Sequence, residues 1–123
     1  MTQQTAYPSV IPYLLVADAP HLIAFFEAGF GAVMRMSVPA PDGRVMHAEI
    51  TLGDSVIMIS DAVKEPAAPA HLCHYVADVD AAYEKALAAG AVSVSPPETK
   101  DYGDRLAGIK DPAGNTWWIC APA

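Results

Sequence analysis

The sequence predicts an α+β fold built from two βαβββ modules in tandem. Three observations predict it. The chain repeats itself at about 60 residues, so that Ile11-Pro-Tyr-Leu-Leu-Val-Ala-Asp18 returns as His71-Leu-Cys-His-Tyr-Val-Ala-Asp78. Each copy opens with an apolar run, continues at helical spacing and closes with three runs of alternating character. Turn signals separate those runs: Asp42-Gly43 and Gly53-Asp54 in the first copy, Tyr102-Gly103-Asp104 and Asp111-Pro112-Ala113-Gly114 in the second.

Asp18 is placed to cap a helix whose first turn contains Pro20, and Leu22, Ile23, Phe25 and Phe26 supply its buried side. Gly29 or Gly31 ends it. In the second copy Asp78 caps, Val79, Tyr83, Ala86 and Leu87 face inward, and Gly90 stops the helix. Strands are expected at about 32–39, 45–52 and 55–61, and again at about 91–95, 105–110 and 115–121. Aligning Gly53-Asp54 with Gly114-Asn115, and Arg44 with Arg105, moves the offset between copies from 60 to 61 in the later strands. Module 1 covers about 8–62, a Pro- and Ala-rich extended linker about 63–70, and module 2 about 71–122. Each sheet has one face under its helix and another that needs a partner.

Composition narrows the function. With 53% hydrophobic and 17% charged residues in 123, the chain can bury a core and is not disordered. A net charge of -7 without any cluster of Lys or Arg argues against nucleic acid as a partner. No apolar run reaches the length of a membrane span. The polar, uncharged start gives no sign of a secretory signal, so a cytoplasmic location is expected. There Cys73 and Cys120 would be free thiols.

Several stretches resemble the vicinal-oxygen-chelate superfamily, which includes glyoxalases, bleomycin-resistance proteins and extradiol dioxygenases. They are Pro12-Tyr13-Leu14-Leu15-Val16, Phe25-Phe26-Glu27-Ala28-Gly29-Phe30-Gly31-Ala32, Asp42-Gly43-Arg44-Val45-Met46-His47-Ala48-Glu49, and Tyr102-Gly103-Asp104-Arg105 followed by Asp111-Pro112-Ala113-Gly114-Asn115-Thr116-Trp117-Trp118. The resemblance runs from about Tyr7 to Ala121. It implies one domain over 1–123, with each module a cupped, mixed four-stranded sheet carrying its helix on the outer face.

Enzymes of that superfamily hold a divalent metal with side chains from the first and last strand of each module. The corresponding positions here are Ile11, Ile57, His71 and Trp118. Only one of these is a metal donor, and a divalent ion needs several. The expectation is therefore no metal and no cofactor. His71, Cys73 and Cys120 would share one wall, which leaves a soft-metal site as an alternative.

Alternation predicts the cup lining: Ile11, Tyr13 and Leu15 from the first strand, Ile57 and Ile59, then His71, Cys73, Tyr75, Thr116, Trp118 and Cys120 from the second module. Met46, Ala48, Ile50 and Leu52 form a row suited to helix packing, which puts His47, Glu49 and Thr51 in the cup. Tyr13, His47, Glu49, His71, Cys73, Tyr75 and Trp118 are the candidate ligand-binding residues. Aromatic rings suit a planar ligand, and Glu49 or the ring faces suit a cation. Asp104 and Arg105 read as structural first, and no nucleophile triad or phosphate loop is present. No catalytic residue is assigned, and the reading leans away from an enzyme. It favours a metal-free homodimer that sequesters a small aromatic or cationic compound, as in antibiotic resistance of the bleomycin type. The alternative is a glyoxalase-type lyase, isomerase or dioxygenase with a non-standard site.

Overall fold

A computed structural model describes residues 7–63 and 66–122. The element order is β1 (Tyr13–Val16), α1 (Ala19–Phe25), a π-helical turn (Phe26–Phe30), β2 (Val33–Pro39), β3 (Val45–Leu52), β4 (Ser55–Asp61), β5 (His71–Tyr75), α2 (Val79–Ala88), β6 (Val92–Thr99), β7 (Asp104–Lys110) and β8 (Thr116–Pro122). Two four-stranded sheets result, ordered β1-β4-β3-β2 and β5-β8-β7-β6. In each sheet the first strand runs parallel to the last and the other pairs are antiparallel, so the expected tandem βαβββ architecture is the observed one. None of the described helices is long and apolar enough to cross a membrane.

The helix starts follow from their caps. Asp18 accepts from the His21 amide at 3.2 Å and Asp78 from the Ala81 amide at 3.1 Å, each satisfying an amide that has no partner within the helix. The first helix ends through the π-helical turn at Gly31, which takes the left-handed conformation (φ 72°). All four expected core residues of the first helix are buried. The helix-facing sides of both sheets meet in one apolar cluster, from Leu14, Ile50 and Ile59 to Ala107, Trp117 and Ile119. Phe26 and Phe30 join the modules: both pack edge-on against Trp117, and Phe30 also meets His74.

Strand pairing corrects the expected equivalence between copies. Tyr13 lies opposite Met58, and Cys73 opposite Trp118, so Met58 rather than Ile57 is the counterpart of Trp118. The offset is 60 at both ends of the module, because two one-residue differences cancel. The π-helical turn holds an extra residue in the first copy, and the turn from Asp111 to Asn115 holds one in the second. Aligning the two turns by their glycines counted only the second difference. A one-residue slip exchanges the faces of a strand. Ile57 and Ile59 accordingly pair with Ile50 and Ala48 and are buried on the helix side, not in the cup.

Arg44 and Arg105 are not equivalent either. The hairpins match as Ala40–Arg44 and Lys100–Asp104, with the same pair of backbone bonds in each.

Bulges account for the remaining departures in β3 and β6. Val38 faces His47 and Pro39 faces Val45, which leaves Met46 as an extra residue, turned outward and 55% exposed instead of packing under the helix. Strand β6 runs on to Thr99 and carries Pro96-Pro97 across a second register shift, as an edge strand can.

Two buried carboxylates tie the strand ends. Asp61 accepts from the amides of Ala19 and Val45 at 2.7 and 2.8 Å. Asp111 accepts from the amides of Ala113 and Asn115, from the Asn115 side chain, and from Trp117 Nε1 at 2.9 Å. Asn115 Oδ1 in turn accepts from the Ala70 amide, fixing the entry to β5. Asp111→Ala leaves buried donors unpaired, and each costs about 1–3 kcal/mol. The expected loss of unfolding free energy in urea is roughly 3–5 kcal/mol, against a small change for Asp54→Ala at the exposed β3–β4 turn.

Candidate functional site

The seven candidate residues fall into two groups on two sheets. Tyr13, His47 and Glu49 line the first cup; His71, Cys73, Tyr75 and Trp118 line the second. Within each group the alternation read from sequence places the side chains on a common face. Ile11, half-buried, precedes β1.

The first cup is organised around Glu49, whose residue is only 3% exposed. Its Oε1 accepts from Tyr7 Oη at 2.7 Å and lies 3.5 Å from Arg35 Nε, and its Oε2 is 2.9 Å from His47 Nε2. The Arg35 guanidinium sits over the Tyr7 ring, 4.5 Å from its centre. Tyr13 meets His47 edge-on and reaches within 3.4 Å of Ser60 Oγ. Burial pushes the Glu49 carboxyl up, but the hydrogen bonds from His47 and Tyr7 and the charges of His47 and Arg35 outweigh it, so its pKa lies below the ordinary value. The same carboxylate pushes the Tyr7 phenol up.

Tyr7, Arg35, Met58 and Ser60 belong to this cup and were absent from the sequence-derived set. Arg35 is the extra residue of a bulge between Met34 and Met36. Simple alternation across β2 gives no account of its position, although a lone Arg between two methionines was a visible irregularity. Met58 and Ser60 were hidden by the one-residue slip. Tyr7 lies before the first strand, where no periodicity exists to place it.

The second cup is aromatic. Trp118 Nε1 donates to His71 Nδ1 at 3.3 Å, and the two rings lie nearly parallel, 21° apart with centres 6.2 Å apart. Tyr75, opposite Cys120 on the same face, is 64% exposed. Cys120 is buried and Cys73 exposed. Burial pushes the Cys120 thiol up, and Cys73 and Asp104 add to the shift, so Cys120 is a poor thiolate donor.

A metal fits poorly here. The equivalent first- and last-strand positions are now Ile11, Met58, His71 and Trp118, which offer one imidazole and one thioether. His47 and Glu49 bond each other, and Glu49 is further committed to Tyr7 and Arg35. Among the described residues no three His, Cys, Asp or Glu side chains are grouped to hold an ion, and His71, Cys73 and Cys120 are no exception.

Two concavities lie near the sheets. One of about 720 Å³ is lined by Leu15 and Ser60, which share the face of Tyr13, and by Val45, Met46 and Val63. A groove of about 380 Å³ runs between the modules from Val10 and Pro12 to Leu72 and His74. Burial pushes the His74 imidazole down, favouring its neutral form.

Glu49 gives a pH-dependent prediction. The folded protein holds its proton less tightly than the unfolded chain does, so ionisation favours folding. That contribution is complete above the ordinary glutamate range and vanishes as pH falls through the depressed folded value. Glu49→Gln is expected to lower stability at neutral pH by about 1–3 kcal/mol and to converge with the parent in acid. Melting curves from pH 7 down to 3 check it, and a constant difference across that range refutes the ionic role.

The chain matches the family model described as the Glyoxalase/Bleomycin resistance protein/Dioxygenase superfamily over residues 7–119. It is 33% identical over 127 aligned residues to an uncharacterized protein of Mycobacterium bovis, covering 94% of this chain and 84% of that one. An uncharacterized protein of Mycobacterium tuberculosis matches at the same identity, with 94% and 75% covered. Among solved structures, TioX from Micromonospora sp. ML1 superposes with a TM-score of 0.77 at 24% identity, over 94% of this chain and 97% of that one. Lactoylglutathione lyase from Agrobacterium tumefaciens gives 0.71 at 22% identity, over 93% and 94%. These structural likenesses speak for the fold alone, while the family model spans nearly all of the described residues. The chain belongs to the Glyoxalase/Bleomycin resistance protein/Dioxygenase superfamily.

Proposed function

We propose that this protein binds a small aromatic or cationic compound without a metal, and that it acts by sequestering the compound. The observation that carries this reading is the second cup, where the Trp118 indole is anchored by the His71 imidazole and Tyr75 stands exposed on the same face of the sheet. Planar ligands gain from stacking on such a surface, and cations gain from the ring quadrupole. The net charge of -7 attracts cations over longer range. The donor set argues in the same direction, since the strand positions that carry ligands in metal-dependent relatives hold Ile11, Met58, His71 and Trp118. Capture of a toxic compound in this way would lower its free concentration, which is the chemistry of antibiotic resistance by sequestration.

A glyoxalase-type reaction is the second reading. It draws on the His47–Glu49 contact of 2.9 Å, which can hold an imidazole in one orientation for proton transfer. Thermal unfolding separates the two. A ligand at a hundredfold excess over its Kd stabilises the native state by about 2.7 kcal/mol, roughly 10 °C for a domain of this size. Planar aromatic cations are expected to produce such a shift. Zinc, nickel, manganese and iron(II) are expected to produce none, and a comparable rise with any of them overturns the metal-free reading.

We further propose a homodimer that covers the apolar edges of the cups and leaves the Trp118 face open. Tyr13, Met36 and Val38 on one sheet and Tyr75 and Val92 on the other stay between 38% and 66% exposed in the single chain. Exposed apolar surface of this extent favours a partner. Light scattering after gel filtration should give about twice the 13.0 kDa chain mass; a monomer at micromolar concentration refutes it.

A further inference from the structure

We infer that Gly108 determines the ligand specificity of the second cup, by laying the Trp118 indole flat as a floor that admits planar aromatic rings face-on and turns away bulky aliphatic groups. The inference rests on the binding role proposed for this cup.

Side chains on a strand normally stand away from the sheet. Trp118 in β8 lies directly opposite Gly108 in β7. A Cβ added at Gly108 would come within 2.8 Å of Trp118 Cζ3, 3.1 Å of Cε3 and 3.3 Å of Ser95 Oγ. The six-membered ring of the indole therefore rests on the bare backbone of β7. Its opposite edge reaches toward β5, the neighbouring strand on the other side, where Nε1 bonds His71 Nδ1. One edge is seated and the other tethered, so the ring lies across the strands.

Backbone geometry does not call for glycine here. Six other glycines adopt positive φ, but Gly108 does not. Glycine inside a strand weakens it, and a common compensation is the close approach of another group. The group that approaches is the indole. The first cup shows the alternative. There Met58 lies opposite Glu49, the register position at which the second sheet has Trp118 opposite Gly108. A buried, fully engaged carboxylate occupies the place that the glycine leaves free, and no flat floor forms.

A flat floor sets the ligand class. Stacking needs a planar π-system at van der Waals distance over the indole, and a positive charge on it adds attraction. A globular aliphatic cation of the same charge touches the ring at few atoms.

The test compares two monocations, planar proflavine and globular 1-adamantylamine, by isothermal titration against the parent and against Gly108→Ala, Gly108→Val and Trp118→Leu, with circular dichroism as the check on folding. The parent is expected to bind proflavine at least tenfold more tightly than 1-adamantylamine. Gly108→Ala should reduce that preference severalfold and Gly108→Val should abolish it. Trp118→Leu, which keeps Gly108 and removes the floor, should abolish it too, so the test survives if Gly108→Val does not fold. Equal binding of the two probes by the parent, or a preference unchanged in Gly108→Ala, overturns the role of Gly108 while leaving a binding function intact. Failure of both probes to bind the parent overturns the binding reading and this inference together.

Discussion

The packing of Phe26 and Phe30 against Trp117 sets the arrangement on which the rest depends. It joins the helix-facing sides of both sheets into one apolar interior. Once those sides are turned toward each other, strand alternation directs the remaining side chains away from the interior. Both cups are thus a consequence of where the core lies. Their side chains stand mostly outside the cluster that joins the modules. Glu49 is the partial exception, since its buried carboxylate also fastens Tyr7 and Arg35 to the first sheet.

What could be read from the sequence was what repeats. Asp18 and Asp78, the apolar faces of the two helices and the hairpin turns recur in both copies, and each has a local cause that needs no tertiary knowledge. The division of β1, β5 and β8 into inward and outward residues was legible for the same reason. The failures arose where length differs between copies. A π-helical turn leaves no mark in hydrophobic periodicity, and its extra residue cancelled the longer turn before β8. Counting from the glycines then placed Ile57 in the cup and left Met58 out. Bulges at Arg35 and Met46 likewise break a rule that holds on either side of them.

Duplication has left two cups of unlike chemistry. One is a charged network drawn tight around a carboxylate; the other is an open aromatic surface with one imidazole. The difference traces to the two middle strands, where Glu49 faces Met58 in one sheet and Gly108 faces Trp118 in the other. A symmetric metal centre needs like donors from both halves, and these substitutions remove that symmetry. The polar cup is internally satisfied, whereas the aromatic one leaves Tyr75 exposed.

The paired prolines of β6 bear on behaviour in a crowded cell. An outer strand of a sheet offers a row of unpaired amides on which another chain can extend the ladder. Pro96 and Pro97 carry no amide hydrogen, and the register shift around them bends the margin of the second sheet. Along that margin two successive positions therefore have no amide hydrogen to offer an added strand, and the regular ladder that an incoming chain would need is interrupted there.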